Sequence, residues 1–174
     1  MNINNLELSK IILHIFTIMY IFILVIIAGI DKKHLKIEKR AVSSGIILSV
    51  LYIMYLYKID SSRTLFNIMY LGAYVILLVA DNYIIKIHAQ NSYTLGILML
   101  FNIIVIFSGI DIFIYTLIMT SLEILMYILV SKIKQKKNGN KKVKISDIPV
   151  GYLLGISNIF IFAIVSFMIN CKLI

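Results

Sequence analysis

Long apolar runs alternate with short polar stretches over the whole chain, and the runs have the length of membrane-crossing helices. A helix rises 1.5 Å per residue, so about 20 apolar residues cross the hydrocarbon of a bilayer. Runs at 11–30, 41–57, 64–80 and 149–170 each predict one such helix. The apolar stretch from Leu95 to Ser131 is too long for one, and Ser108-Gly109-Ile110-Asp111 interrupts it with turn-type residues, which predicts two helices, 95–110 and 112–131. The polar stretches at 31–40, 58–63, 81–94 and 132–147 are the connections, the last with Asn138-Gly139-Asn140 at its tip. The pattern predicts an all-α, polytopic integral membrane protein of about six transmembrane helices.

Composition supports one membrane domain covering residues 1–174. Of the 174 residues, 61% are hydrophobic and 14% are charged, and a soluble core of that size cannot bury so much apolar surface. The first run exceeds a signal-peptide core and no small-residue cleavage site follows it, so it reads as a retained signal anchor. Cys171 is the single cysteine, which leaves no disulfide framework.

The net charge of +9 does not point to nucleic acid, because the basic residues lie in the short connections. Their expected partner is a lipid bilayer with anionic headgroups. Thirteen of the 17 basic residues fall in the first, third and fifth connections, seven of them in the basic loop 132–147. The excess of Lys and Arg on one side places those loops in the cytoplasm and both termini outside. The expected location is the cytoplasmic membrane of the cell, as a multi-pass protein.

Of the eight acids, four are set apart by position. Asp31 and Asp81 end the first and third spans on the cytoplasmic side, Asp111 falls in the outer hairpin, and Glu123 lies near the middle of the fifth span. An ionised carboxylate at that depth costs at least ~2.5 kcal/mol unless paired or neutral. Two carboxylates at one depth can form an aspartyl dyad sharing a proton, the ionised member acting as base on a water and the protonated one polarising a carbonyl. On the residues alone, Asp31 and Asp81 read more simply as markers of helix ends at the water boundary.

The string Ile30-Asp31 followed by Ile37 resembles the first-aspartate motif of prepilin peptidases, where Ile-Pro-Asn begins six residues after the Asp. Ile148-Pro149-Val150-Gly151-Tyr152-Leu153-Leu154-Gly155 resembles the Ile-Pro-Phe-Gly-Pro segment that opens that family's last helix after a basic loop. With the order of spans and basic loops, the resemblance covers nearly the whole chain. It implies a membrane aspartyl endopeptidase without a cofactor. Such an enzyme cuts basic leader peptides from single-span type IV pilin-like precursors at the cytoplasmic face. It also implies cleavage without methylation, since the first span follows directly on the N-terminus.

The chain departs from the family at two places. Glu38-Lys39 stand where the family has Pro-Asn, and no Gly-x-Gly-Asp string marks the second aspartate. Asp111, in Gly109-Ile110-Asp111, has the better local glycine. Asp81 has the family's helix count on both sides, and the resemblance assigns the catalytic pair to Asp31 and Asp81. The alternative is a degenerate or non-enzymatic membrane protein, such as an accessory or transporter-like subunit, that keeps the fold.

Other polar positions have architectural readings. Thr116, Thr120, Glu123 and Tyr127 recur at helical spacing and read as an interhelical hydrogen-bonding stripe. Gly151 and Gly155, with Asn158 one turn on, form a small face suited to close packing. His14, alone in its span, reads as a donor to a neighbouring helix, and His34 and His88 have no second ligand at metal spacing. Residues 82–88 read as an interfacial helix, with Tyr93 as an anchor at the membrane surface. A cysteine-protease reading needs a Cys near a His on the cytoplasmic side, and Cys171 is expected outside.

Overall fold

A computed structural model describes residues 3–85, 92–138 and 148–170. They form six α-helices in chain order: α1 Ile3–His34, α2 Lys39–Leu56, α3 Ser61–Ile85, α4 Ser92–Ser108, α5 Ile110–Asn138 and α6 Val150–Asn170. The described residues contain no strand.

The helix ends follow local chemistry. Lys32, Lys33 and His34 occupy the last turn of α1, where cations complement the helix dipole. Leu35 then takes a left-handed backbone (φ 50°), and its N–H closes the helix on the Asp31 carbonyl at 2.8 Å. Asp60 caps α3, its Oδ1 accepting the Ser62 hydroxyl at 2.7 Å and the Arg63 N–H at 3.1 Å. Those bonds, led by the Arg63 N–H, hold the Asp60 carboxyl below its ordinary range. Gly109 separates α4 from α5 with φ 83°, a conformation that costs a glycine little.

The helices alternate in direction. A short turn at 57–60 sends α3 back toward the end of the bundle where α1 finishes, and Gly109 marks the opposite end. α1 packs on α2 and α6, α5 on α6, and α3 on α4, while α4 also touches α2, α5 and α6. Central α4 therefore buries most of its length, through Leu100, Ile103, Ile104 and Phe107. Phe107 stacks on Tyr20 of α1 at 4.6 Å and on Tyr52 of α2 at 4.8 Å between ring centroids.

Burial is arranged as it is in a lipid-exposed bundle. Asp31, Ser49, Thr64, Asn67, Thr116, Thr120 and Asn158 are inside, while Ile18, Phe22, Leu65, Met69, Ile76, Met126 and Phe167 face outward. Among the described residues, three stretches are long and apolar enough to cross a membrane: Glu7–His34, Ile110–Ile133 and Val150–Ile169. Arg40–Leu56 and Tyr93–Ser108 are apolar and shorter.

Helix boundaries differ from the sequence expectation chiefly outside the apolar runs. α5 continues through Lys132 to Asn138 instead of ending at residue 131, because Lys and Gln are good helix formers and no breaker occurs before Asn138-Gly139. The rest of the basic loop, 139–147, lies outside the described residues, as do 86–91 and Cys171.

Candidate active site

Asp31 sits in the last turn of α1, where the run of apolar residues ends, and its side chain is 0% exposed. Its Oδ2 accepts the Tyr152 backbone N–H at 2.9 Å and the Tyr93 hydroxyl at 3.1 Å. The Tyr93 hydroxyl oxygen in turn accepts the Val150 N–H at 3.0 Å. A carboxylate and a phenol thus take up first-turn donors of α6 that the helix itself cannot satisfy. The positive end of the helix dipole favours a carboxylate there.

Asp31 Oδ1 is different. It is buried and has no hydrogen-bond partner among the described residues. An oxygen left in this state costs stability and is free to serve a proton or an incoming polar group.

Close backbone approach makes the arrangement possible. A Cβ on Gly151 would lie 3.1 Å from Asp31 Oδ2 and 2.5 Å from Ile37 Cδ1, so glycine lets α6 meet both without moving the Ile37 side chain. Gly96, one turn after Tyr93 on α4, does the same for Ile37, whose Cβ lies 2.7 Å from where a Cβ on Gly96 would sit. Ile37 is therefore wedged between α4 and α6 beside the carboxylate, itself 6% exposed. Lys32 completes the rim: its Nζ lies 4.7 Å from the centroid of the Tyr152 ring and donates to the Tyr152 hydroxyl at 3.3 Å.

Asp81 lies near the C-terminal end of α3, which runs toward the same end of the bundle as Asp31. Its side chain lies outside the described residues. Asp111 is exposed in the first turn of α5, next to Gly109 and at the opposite end of the bundle from Asp31. Residues 82–85 end α3, and His88 lies outside the described residues.

A second buried polar group lies deeper in the bundle. Tyr20 donates to Asn158 Oδ1 at 2.6 Å, and Asn158 Nδ2 donates to Thr116 Oγ1 at 3.1 Å and Ser108 Oγ at 3.4 Å. One asparagine thereby ties α6 to α1, α4 and α5. The stripe on α5 is only partly interhelical: Thr116 meets Asn158, whereas Thr120 donates back to the Thr116 carbonyl at 2.8 Å. Glu123 lines a shallow apolar groove with Met119, Met126, Tyr127 and Leu153, and its Oε2 is buried without a partner among the described residues. His14 turns to the Lys10 carbonyl of its own helix at 2.7 Å instead of reaching a neighbour, because it faces outward. Gly155 serves close packing as its spacing implies, approaching Ala28 and the Leu24 carbonyl of α1.

Tyr93, Tyr152 and Gly96 are the site residues that sequence reasoning missed. Tyr93 heads α4 after a polar stretch, which reads as an interfacial anchor, and nothing local shows that its hydroxyl meets α1. Among the described residues no three His, Cys, Asp or Glu side chains converge as a metal set. No family model, curated protein or solved structure matches the chain.

Proposed function

We propose that the chain is a membrane-embedded aspartyl endopeptidase of the prepilin peptidase kind, with Asp31 as one member of its catalytic pair and Asp81 as the other. The observation that carries this reading is the meeting of two distant motifs. Asp31 and Ile37 from the first both touch Gly151 of the second, and Tyr152 donates directly to the carboxylate. The six helices then act as transmembrane spans with both termini outside, and the Asp31 end of the bundle faces the cytoplasm.

In this mechanism the pair holds one proton. The ionised carboxylate takes a proton from water as its oxygen attacks the scissile carbonyl, and the protonated one donates a hydrogen bond to the carbonyl oxygen. Collapse of the tetrahedral adduct breaks the C–N bond, the leaving amine takes a proton, and the two products are a carboxylic acid and an amine. The α6 N-terminus and Tyr93 anchor Oδ2, so Oδ1 is the oxygen available to water or substrate. The substrate is a single-span precursor with a basic leader, unwound at the cleavage point because a helical amide is shielded by its own hydrogen bonds.

A second reading rests on the same contacts. An aspartate that accepts helix N–H groups is also a structural cap, and a non-enzymatic bundle would use Asp31 that way. Co-expression with a synthetic single-span precursor carrying a basic leader separates the two. Wild-type protein is expected to shorten the precursor, and Asp31→Asn to leave it intact at an unchanged level of protein in the membrane. A precursor left whole by wild-type protein contradicts the protease.

A further inference from the structure

Asp31 is completely enclosed, although an exposed turn follows the end of α1. Residues 35–38 are non-helical between α1 and α2, and Leu35 and Lys36 are exposed. Ile37 alone in that turn points inward, and it is held there by packing against Gly96 and Gly151. Ile37 Cδ1 and Asp31 Oδ2 lie 2.5 and 3.1 Å from the one point where a Cβ on Gly151 would sit, so the side chain neighbours the carboxylate on its Oδ2 side. The turn begins at Leu35 in a left-handed conformation that residues with a Cβ rarely hold, which makes it a place where the backbone can rearrange.

We propose that Ile37 is a removable plug: it fills the notch between Gly96 and Gly151 beside Asp31, and its withdrawal with the 35–38 turn opens the carboxylate to substrate. The inference deepens the protease reading and explains how an enclosed carboxylate meets an extended peptide. The notch is aliphatic, flanked by two glycine faces, with Asp31 on one side. Ile37 fills it with a single apolar side chain, whose burial is of a size a loop opening can overcome. Glycine at 96 and 151 sets the fit, since a Cβ at either position would displace the plug.

The test reads access to Asp31 without requiring cleavage. The full chain in lipid nanodiscs is treated with dicyclohexylcarbodiimide, and the adduct at Asp31 is followed by mass spectrometry, with exposed Asp60 as internal reference. Ile37→Ala is expected to speed labelling of Asp31 by at least about tenfold, the factor set by removing three buried carbons from the closed form. Labelling of Asp60 is expected to stay unchanged. Ile37→Val removes only the methyl that meets Gly151 and is expected to give about threefold, which keeps the test available should the alanine variant not fold. Equal labelling of Asp31 in wild type and in the folded variants overturns the plug. Faster labelling in a protein that leaves the precursor whole supports the plug and counts against the protease alone.

Discussion

The Tyr93 hydroxyl donates to Asp31 Oδ2 at 3.1 Å while accepting the Val150 N–H at 3.0 Å, so one phenol links the end of α1 to the first turn of α6. Tyr93→Phe removes both bonds: Asp31 Oδ2 loses its phenol donor, and the Val150 N–H keeps only the Ile148 carbonyl at 2.9 Å. The expected loss is about 1–3 kcal/mol of stability, read as a lower thermal midpoint of the detergent-solubilised protein. A midpoint equal to that of wild type would show that water or another donor replaces the phenol.

Two glycines on neighbouring helices should respond in opposite directions to alanine. Gly151→Ala drives a methyl into Ile37 and Asp31 and is expected to cost about 1–3 kcal/mol. Gly29 has open space around its Cβ position, so Gly29→Ala is expected to be neutral or to stabilise α1 by up to about 1 kcal/mol. Thermal midpoints of the two variants, measured side by side, check the contrast.

Asn158 holds Tyr20, Ser108 and Thr116 together. Asn158→Leu takes away the acceptor of the buried Tyr20 hydroxyl, while Ser108 and Thr116 keep their bonds to the Ile104 and Ile112 carbonyls, and it is expected to destabilise the bundle by about 1–3 kcal/mol. Tyr20→Phe in the Asn158→Leu background should then cost less than Tyr20→Phe alone, a coupling that a double-mutant cycle measures.

Much of this arrangement was legible from the sequence, and the remainder failed for one physical reason. Apolar run length and the Gly109 interruption gave the helices and the break between α4 and α5. Asp31, Ile37 and the Ile148-Pro149 opening were visible as strings, and they meet in space. Periodicity does not fix how one helix is rotated against another, so it could not show that Tyr93 turns to Asp31. For the same reason it did not show that Thr120 bonds within α5 while Thr116 crosses to Asn158. The extension of α5 to Asn138 escaped because its last turns are polar, and hydropathy measures the span rather than the helix.

The cap of α3 supplies a pH dependence with a definite sign. The Asp60 carboxyl is held below its ordinary range by the Arg63 N–H and the Ser62 hydroxyl. A carboxylate whose folded pKa is depressed contributes stability above its unfolded pKa and loses it as pH falls through the folded value. Stability of wild type should therefore fall further on acidification below the normal carboxylate range than that of Asp60→Asn, and thermal midpoints across that range test it.

Processing of the synthetic precursor by Asp31→Asn, Asp81→Asn and Asp111→Asn, compared at equal membrane levels, addresses the central claim most directly. The first two variants are expected to leave the precursor whole, and Asp111→Asn to cut it as wild type does. Cleavage that survives Asp81→Asn and is lost in Asp111→Asn would contradict the pairing of Asp31 with Asp81 and the orientation that supports it.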